Sequence, residues 1–339
     1  MIIVGSIILT IFACLTIWIL IAGPKLPAET DAIINEVLNN PLPELFTGKT
    51  GVDTSNGLDI WYESISPKNQ LKGSVLLNIG MGASALDWPR LFVQEFVDSG
   101  YQVIRYDQRG TGMSDWVVDW DNKNPYSLVD MAEDAVAVLD ALQINEAHIV
   151  GLSMGGMIAQ EIAINHPDRV TTLTLMLTTG YAIDPEIPGM SSSYFMSSMV
   201  KAIPLLKYRI VGGEKNLIKE RIAKTISGLG YEKIDIKEIA EVVLYDLRKR
   251  KGFNLSGVLQ HRKAVEVTPS RYEKLKTIDT RTLVIHGTDD QFMPIEHGKK
   301  LVEVIPNAKG LWIDGMGHTF PFPNMGELME SILSHLDEA

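Results

Sequence analysis

The string GLSMGG at residues 151–156 places one hydroxyl, Ser153, among three glycines at 151, 155 and 156. An apolar β-branched run (147–151) precedes it, and a helical pattern (155–166) follows and stops at Pro167. G-x-S-x-G on a strand-to-helix turn is the setting of an exposed nucleophile, because the turn closes only if its flanking residues are small. The helix behind Ser153 would present unpaired N–H groups with partial positive charge to a reacting carbonyl. A serine hydroxyl is nearly inert at neutral pH, so this chemistry also needs a base and an acid that orients it.

Seven histidines are available as base. His148 and His166 lie at the far ends of the strand and helix that flank Ser153. His297 and His335 fall on expected surface helices, His261 falls in an insertion, and His286 ends a strand as a packed residue. His318 remains, in a glycine-rich loop (314–318) just after the apolar run GLWI (310–313). A loop beyond a strand's carboxyl end is where a base must sit to reach Ser153. For the acid, HGTDDQFMP (286–294) offers Asp289 and Asp290 directly after a strand, with Asp184 as a third candidate. One of the paired aspartates would orient the imidazole, and the other would cap the helix that starts near Pro294.

These side chains need a frame. Apolar runs at 73–80, 101–107, 147–151, 172–177 and 281–287 end in Gly, Asp or Thr and predict buried parallel strands. Helical patterns at 87–99, 127–142 (with Ser127 as cap) and 155–166 lie between them. Strand and helix in alternation predict an α/β class, a mostly parallel sheet with helices on both faces. Residues 51–65 contain Asn56-Gly57, the signature of a hairpin turn, and predict an antiparallel start. The alternation stops near Gly180 and resumes near Thr280, which predicts a helical cap insertion.

With these elements in place, the chain resembles the α/β-hydrolase fold superfamily, and within it the esterase branch of the aclacinomycin methylesterase type. The likeness rests on NIGMGAS (78–84), YDQRGTGMSD (106–115), GLSMGG (151–156), HGTDDQFMP (286–294) and GMGH (315–318). It covers the chain from about residue 50 to the end, apart from the insertion. The resemblance implies Ser153 as nucleophile, Asp290 as acid and His318 as base, with a cap over the pocket. It also implies an oxyanion hole made by the backbone N–H groups of Met81 and Met154. The chain departs from relatives that carry His-Gly after the third strand, having Ile79-Gly80 instead. A backbone donor tolerates any side chain except proline, so the departure bears on loop geometry more than on chemistry.

The rest of the chain bounds the partners. A net charge of -11 argues against nucleic-acid binding, which needs a cationic surface. With one cysteine, Cys14, no intramolecular disulfide can form. No charged side chain precedes Lys25, and a helix over residues 1–22 would extend about 33 Å, enough for a hydrocarbon core of about 30 Å. The expectation is therefore a single-pass N-terminal transmembrane anchor (1–24) with the membrane as partner and location. A stalk (25–46), a hydrolase core (47–180 and 275–339) and a helical cap (181–274) complete the expected organisation. A cleaved signal competes with the anchor but lacks a basic start. The basic run at 248–252 reads as a solvated helix end. Met81, Met113, Met154, Met293 and Met316 all fall in rim loops, and would form an adaptable apolar site or fill the core.

The expected activity is hydrolysis of a small-molecule carboxylic ester through an acyl-enzyme, with no metal or organic cofactor. Perhydrolase or carbon–carbon bond hydrolase chemistry on the same side chains is one alternative. A non-catalytic ligand-binding protein of the same fold is another.

Overall fold

The computed structural model describes residues 18–19, 22–189, 191–229, 234–319 and 325–338. Asn56 and Gly57 both have positive φ, 49° and 80°, and so turn strand β1 (Lys49–Ser55) tightly into β2 (Leu58–Ile65). Ser55 pairs with Leu58 across this antiparallel hairpin. The remaining strands are β3 (Gly73–Asn78), β4 (Tyr101–Tyr106), β5 (Ala147–Leu152), β6 (Val170–Met176), β7 (Thr282–Gly287) and β8 (Lys309–Ile313). They form one sheet in the order β1-β2-β4-β3-β5-β6-β7-β8, and every pairing from β4 to β8 is parallel. The α/β class, the parallel sheet and its antiparallel start are as the strand patterns predict.

In chain order the helices are α1 (Thr30–Asn39), α2 (Arg90–Asp98), α3 (Leu128–Ala141), α4 (Met154–Asn165), α5 (Ser192–Ala202), α6 (Leu206–Val211), α7 (Glu214–Leu229), α8 (Ile236–Lys249), α9 (Leu255–Val267), α10 (Tyr272–Leu275), α11 (Ile295–Val304) and α12 (Met325–Asp337). Helices α3, α4 and α11 bury one face of the sheet, and α2 and α12 bury the other. In the second layer Trp88, Phe92 and Phe96 follow one another at centroid spacings of 5.2 and 5.1 Å, all fully buried. Each such side chain contributes about 1.5–3 kcal/mol by leaving water. This double cover holds the sheet rigid and leaves the loops at its carboxyl edge to carry function.

The chain divides into two compact units. One joins Glu44–Met190 to Arg250–Ala339 and contains the whole sheet together with α9; the other joins Met1–Pro43 to Ser191–Lys249. In the second unit α1 packs Ile34 and Val37 against Ile218 and Ile222 of α7 and Ala240 and Leu244 of α8. Asp31 pairs with Lys215 and Lys219, each at 2.8 Å.

The transmembrane anchor expected over residues 1–24 is corrected, and with it the membrane as partner and location. Among the described residues no helix is long and apolar enough to cross a membrane. Residues 1–17, 20 and 21 of the expected span lie outside the described residues. The helix that follows, α1, rises roughly 15 Å, half of a hydrocarbon core. It carries Asp31 and Glu36 and spends its apolar face on α7 and α8. The basic run is also only partly solvated. Arg248 pairs with Glu214 at 2.7 Å near the surface. Arg250, however, is buried against Asp107 and lies over the Phe46 and Trp61 rings at 4.8 Å. The pattern of charges along the run cannot tell these fates apart, because Asp107 is 143 residues away.

Candidate active site

Ser153 is the residue at which β5 becomes α4, with φ 56° and ψ -119°. Positive φ at a residue with a side chain is uncommon and costs about 1–3 kcal/mol, so the surroundings must enforce it. They do so from the end of β6 and the residues after it: the Ser153 N–H donates to the Met176 carbonyl at 2.8 Å, and the Thr178 hydroxyl donates to the Ser153 carbonyl at 2.7 Å. A Cβ on Gly155 would lie 2.0 Å from the Asn78 carbonyl oxygen, and one on Gly151 would lie 2.4 Å from the Gly155 carbonyl oxygen. Small residues at these positions therefore let β5, α4 and the end of β3 meet around the hydroxyl.

The structure brings Ser153, His318 and Asp290 into one hydrogen-bonded chain. Ser153 Oγ lies 3.0 Å from His318 Nε2, and His318 Nδ1 lies 2.6 Å from Asp290 Oδ2. An ionised Asp290 assigns the proton to Nδ1 and leaves Nε2 as acceptor for the serine hydroxyl. The Phe292 ring packs against the imidazole with centroids 4.7 Å apart. Asp290 Oδ1 accepts from the backbone N–H groups of Phe292 (3.0 Å) and Met293 (2.8 Å). Burial opposes ionisation of this carboxyl, but hydrogen bonds from His286, His318 and Met293 together outweigh it and hold it well below the usual carboxylate range. Such a chain can take a proton from the hydroxyl while the carboxylate stabilises the imidazolium that forms.

Met154 opens α4 directly after Ser153, where the first N–H groups of a helix lack intrahelical acceptors. The loop carrying Met81 passes the same place: a Cβ on Gly80 would lie 3.6 Å from Ser153 Cβ. Met154 thus follows Ser153 directly, and Met81 is one residue on from Gly80. The methionine side chains divide. Met154, Met293 and Met316 are buried in the core, whereas Met81 and Met113 are each 37% exposed. Three of the five rim methionines are core residues.

Two further histidines stand against these site residues with little local signal in the sequence for it. His286 stands with Nε2 2.8 Å from the Met293 carbonyl and 3.5 Å from Asp290 Oδ2, the same carboxylate oxygen that faces His318. Its spacing of four from Asp290 was the only local signal. His261 contacts the loop of Met81 from α9, and nothing near it in sequence announces that. Asp289 and Asp184 are not in the chain of hydrogen bonds; Asp184 caps its own turn by accepting from the Glu186 N–H. Among the described residues no cluster of His, Cys, Asp and Glu is arranged to hold a metal ion.

Comparison with known proteins bears on the family and the fold. The family described as alpha/beta hydrolase fold matches residues 73–324. A rhodomycin D methylesterase from Streptomyces sp. (strain C5) is 30% identical over 302 residues, covering 84% of this chain and 97% of the relative. A 2-hydroxy-6-oxo-6-phenylhexa-2,4-dienoate hydrolase of Comamonas testosteroni is 31% identical over 252 residues, 72% of this chain and 81% of that one. Among solved structures, an esterase from Exiguobacterium antarcticum superposes with a TM-score of 0.65 at 20% identity, over 86% of this chain and all of the other, a likeness of fold. With the sheet, the turn at Ser153 and a family match over most of its length, the chain belongs to the alpha/beta hydrolase fold family.

Proposed function

We propose that the protein is a serine hydrolase of small-molecule carboxylic esters that works through an acyl-enzyme. The observation that carries this reading is the pair of contacts from Ser153 Oγ to His318 Nε2 at 3.0 Å and from His318 Nδ1 to Asp290 at 2.6 Å. Ser153 Oγ attacks the ester carbonyl as its proton passes to His318 Nε2. The carbonyl oxygen, now negative, accepts hydrogen bonds from the Met81 and Met154 N–H groups. His318 returns the proton to the departing alkoxide, and the alcohol leaves. Water then attacks the acyl-enzyme, its proton passing through His318 back to Ser153, and the acid is released. The methylesterase relative at 30% identity supports an ester as substrate.

The test is labelling by a fluorophosphonate probe together with turnover of short p-nitrophenyl esters. Wild-type protein is expected to do both, and Ser153→Ala neither, while keeping its urea unfolding midpoint. Undiminished labelling or turnover in Ser153→Ala would refute the reading.

A further inference from the structure

The segment from Ile79 to Gly82 leaves β3 beside Ser153 and is tied at both ends to distant side chains. At one end the Gln108 amide donates to the Ile79 carbonyl at 2.8 Å. At the other, the Gly82 N–H donates to Nδ1 of His261 at 3.1 Å, and Nε2 of the same ring lies 2.7 Å from the Arg109 carbonyl. These partners assign the tautomer: Nδ1 is bare, and Nε2 carries the proton it gives to Arg109. The ring is fully buried. Burial, helped by the charge of Arg109 and only partly offset by the bond to its carbonyl, pushes His261 down to about 4, so it stays a neutral acceptor near neutral pH.

Helix α9 comes close enough to make this contact because glycines admit it. A Cβ on Gly82 would lie 2.4 Å from Val258, and one on Gly257 would lie 2.4 Å from the Gly110 carbonyl oxygen. Glycines flank Met81, Gly82 sits at φ 68°, and the loop's own turn bond, from the Ala83 N–H to the Gly80 carbonyl, is long at 3.3 Å, so the loop has limited stiffness of its own. An oxyanion donor works only when its N–H is about 2.7–3.1 Å from where the charge develops, so a loose loop must be held from outside.

We propose, resting on the ester-hydrolase reading above, that His261 is the positioning residue of the oxyanion-binding loop: its Nδ1 holds the Gly82 amide and thereby aims the Met81 N–H. The two ring nitrogens can be separated by substitution. His261→Asn sets a side-chain oxygen near the place of Nδ1, whereas His261→Gln sets an amide nitrogen near the place of Nε2 and leaves Gly82 without an acceptor.

In the full-length chain, His261→Gln is expected to lower kcat for a p-nitrophenyl ester by about ten- to a hundredfold with KM within about threefold, the signature of a transition-state interaction. His261→Asn is expected to keep kcat within about threefold. Hydrogen exchange read by mass spectrometry is expected to lose protection at peptides containing Gly82 in the Gln variant and keep it in the Asn variant. Equal losses of kcat in both variants, no loss in either, or a loss confined to KM would overturn the proposal. Should the Gln variant not fold, a folded Asn variant whose kcat falls by more than about tenfold would overturn it as well. A wild-type protein that turns over no ester refutes the hydrolase reading instead; the exchange comparison then still decides whether His261 holds Gly82, and unchanged protection in both variants ends the proposal.

Discussion

Asp290 shows what a single side chain must satisfy to serve the site. One carboxylate oxygen accepts two backbone N–H groups and the other faces His318. Asp290→Asn would keep an acceptor for the backbone but turn an NH2 group toward His318. The imidazole then holds its proton on Nε2, facing Ser153, where it cannot act as base. A fall in kcat of about 10³–10⁴-fold is expected, with KM changed little, and steady-state kinetics checks it; a loss under tenfold would show that Asp290 does not orient His318. Because this carboxyl is held below its usual range, its contribution to stability is present above the unfolded value of about 4 and is lost as pH falls through the lower folded value. Ser153 and His318 could be picked out in the sequence by turn chemistry and loop position. The choice between Asp289 and Asp290 came from the motif resemblance, since two adjacent carboxylates look alike until the turn they occupy is known.

At the scale of elements, local signals carried well wherever the physics was local. Ser127 is the N-cap of α3: its hydroxyl accepts from the Asp130 N–H, and the Asp130 carboxylate accepts from the Ser127 N–H at 2.7 Å. Ser127→Ala should therefore destabilise the fold by about 1 kcal/mol and leave kcat unchanged, seen as a lower urea midpoint. An unaltered midpoint would mean the reciprocal cap contributes nothing. Helix α9 depends on contacts far away in the chain. Its sequence reads as one more helix of the insertion, yet it belongs to the unit that holds the sheet, and its His261 touches Gly82 and Arg109, 179 and 152 residues away. Periodicity reports that a helix has an apolar side, not which body that side meets.

For the whole molecule, buried imidazoles contribute to the pH dependence of stability. Burial pushes His148, His261 and His335 each down to about 4, from about 6.5 in the unfolded chain. Depressed values mean that their contribution is full above about 6.5 and is lost as pH falls toward 4, because the unfolded chain binds protons that the folded one refuses. These three rings together should take up about three protons on unfolding near pH 5, opposed by the buried Asp107 and Asp134 carboxyls, which burial raises, and the urea midpoint is expected to fall between pH 7 and pH 5. An unchanged midpoint would place these rings in contact with water. The sequence by itself determined the alternation of strand and helix, the hairpin at Asn56-Gly57 and the turn at Ser153, since each depends on neighbours a few residues apart. It also suggested a membrane anchor over residues 1–24 from apolar length alone, whereas among the described residues no helix is long and apolar enough to cross a membrane. Only the tertiary structure decided that Arg250 is buried on Asp107, that His286 stands against Asp290 and that His261 reaches the loop of Met81. The physical reason is the same in each case: the free energy of a buried polar contact depends on the partner and on the exclusion of water, and both are set by chain segments brought together only when the sheet is complete.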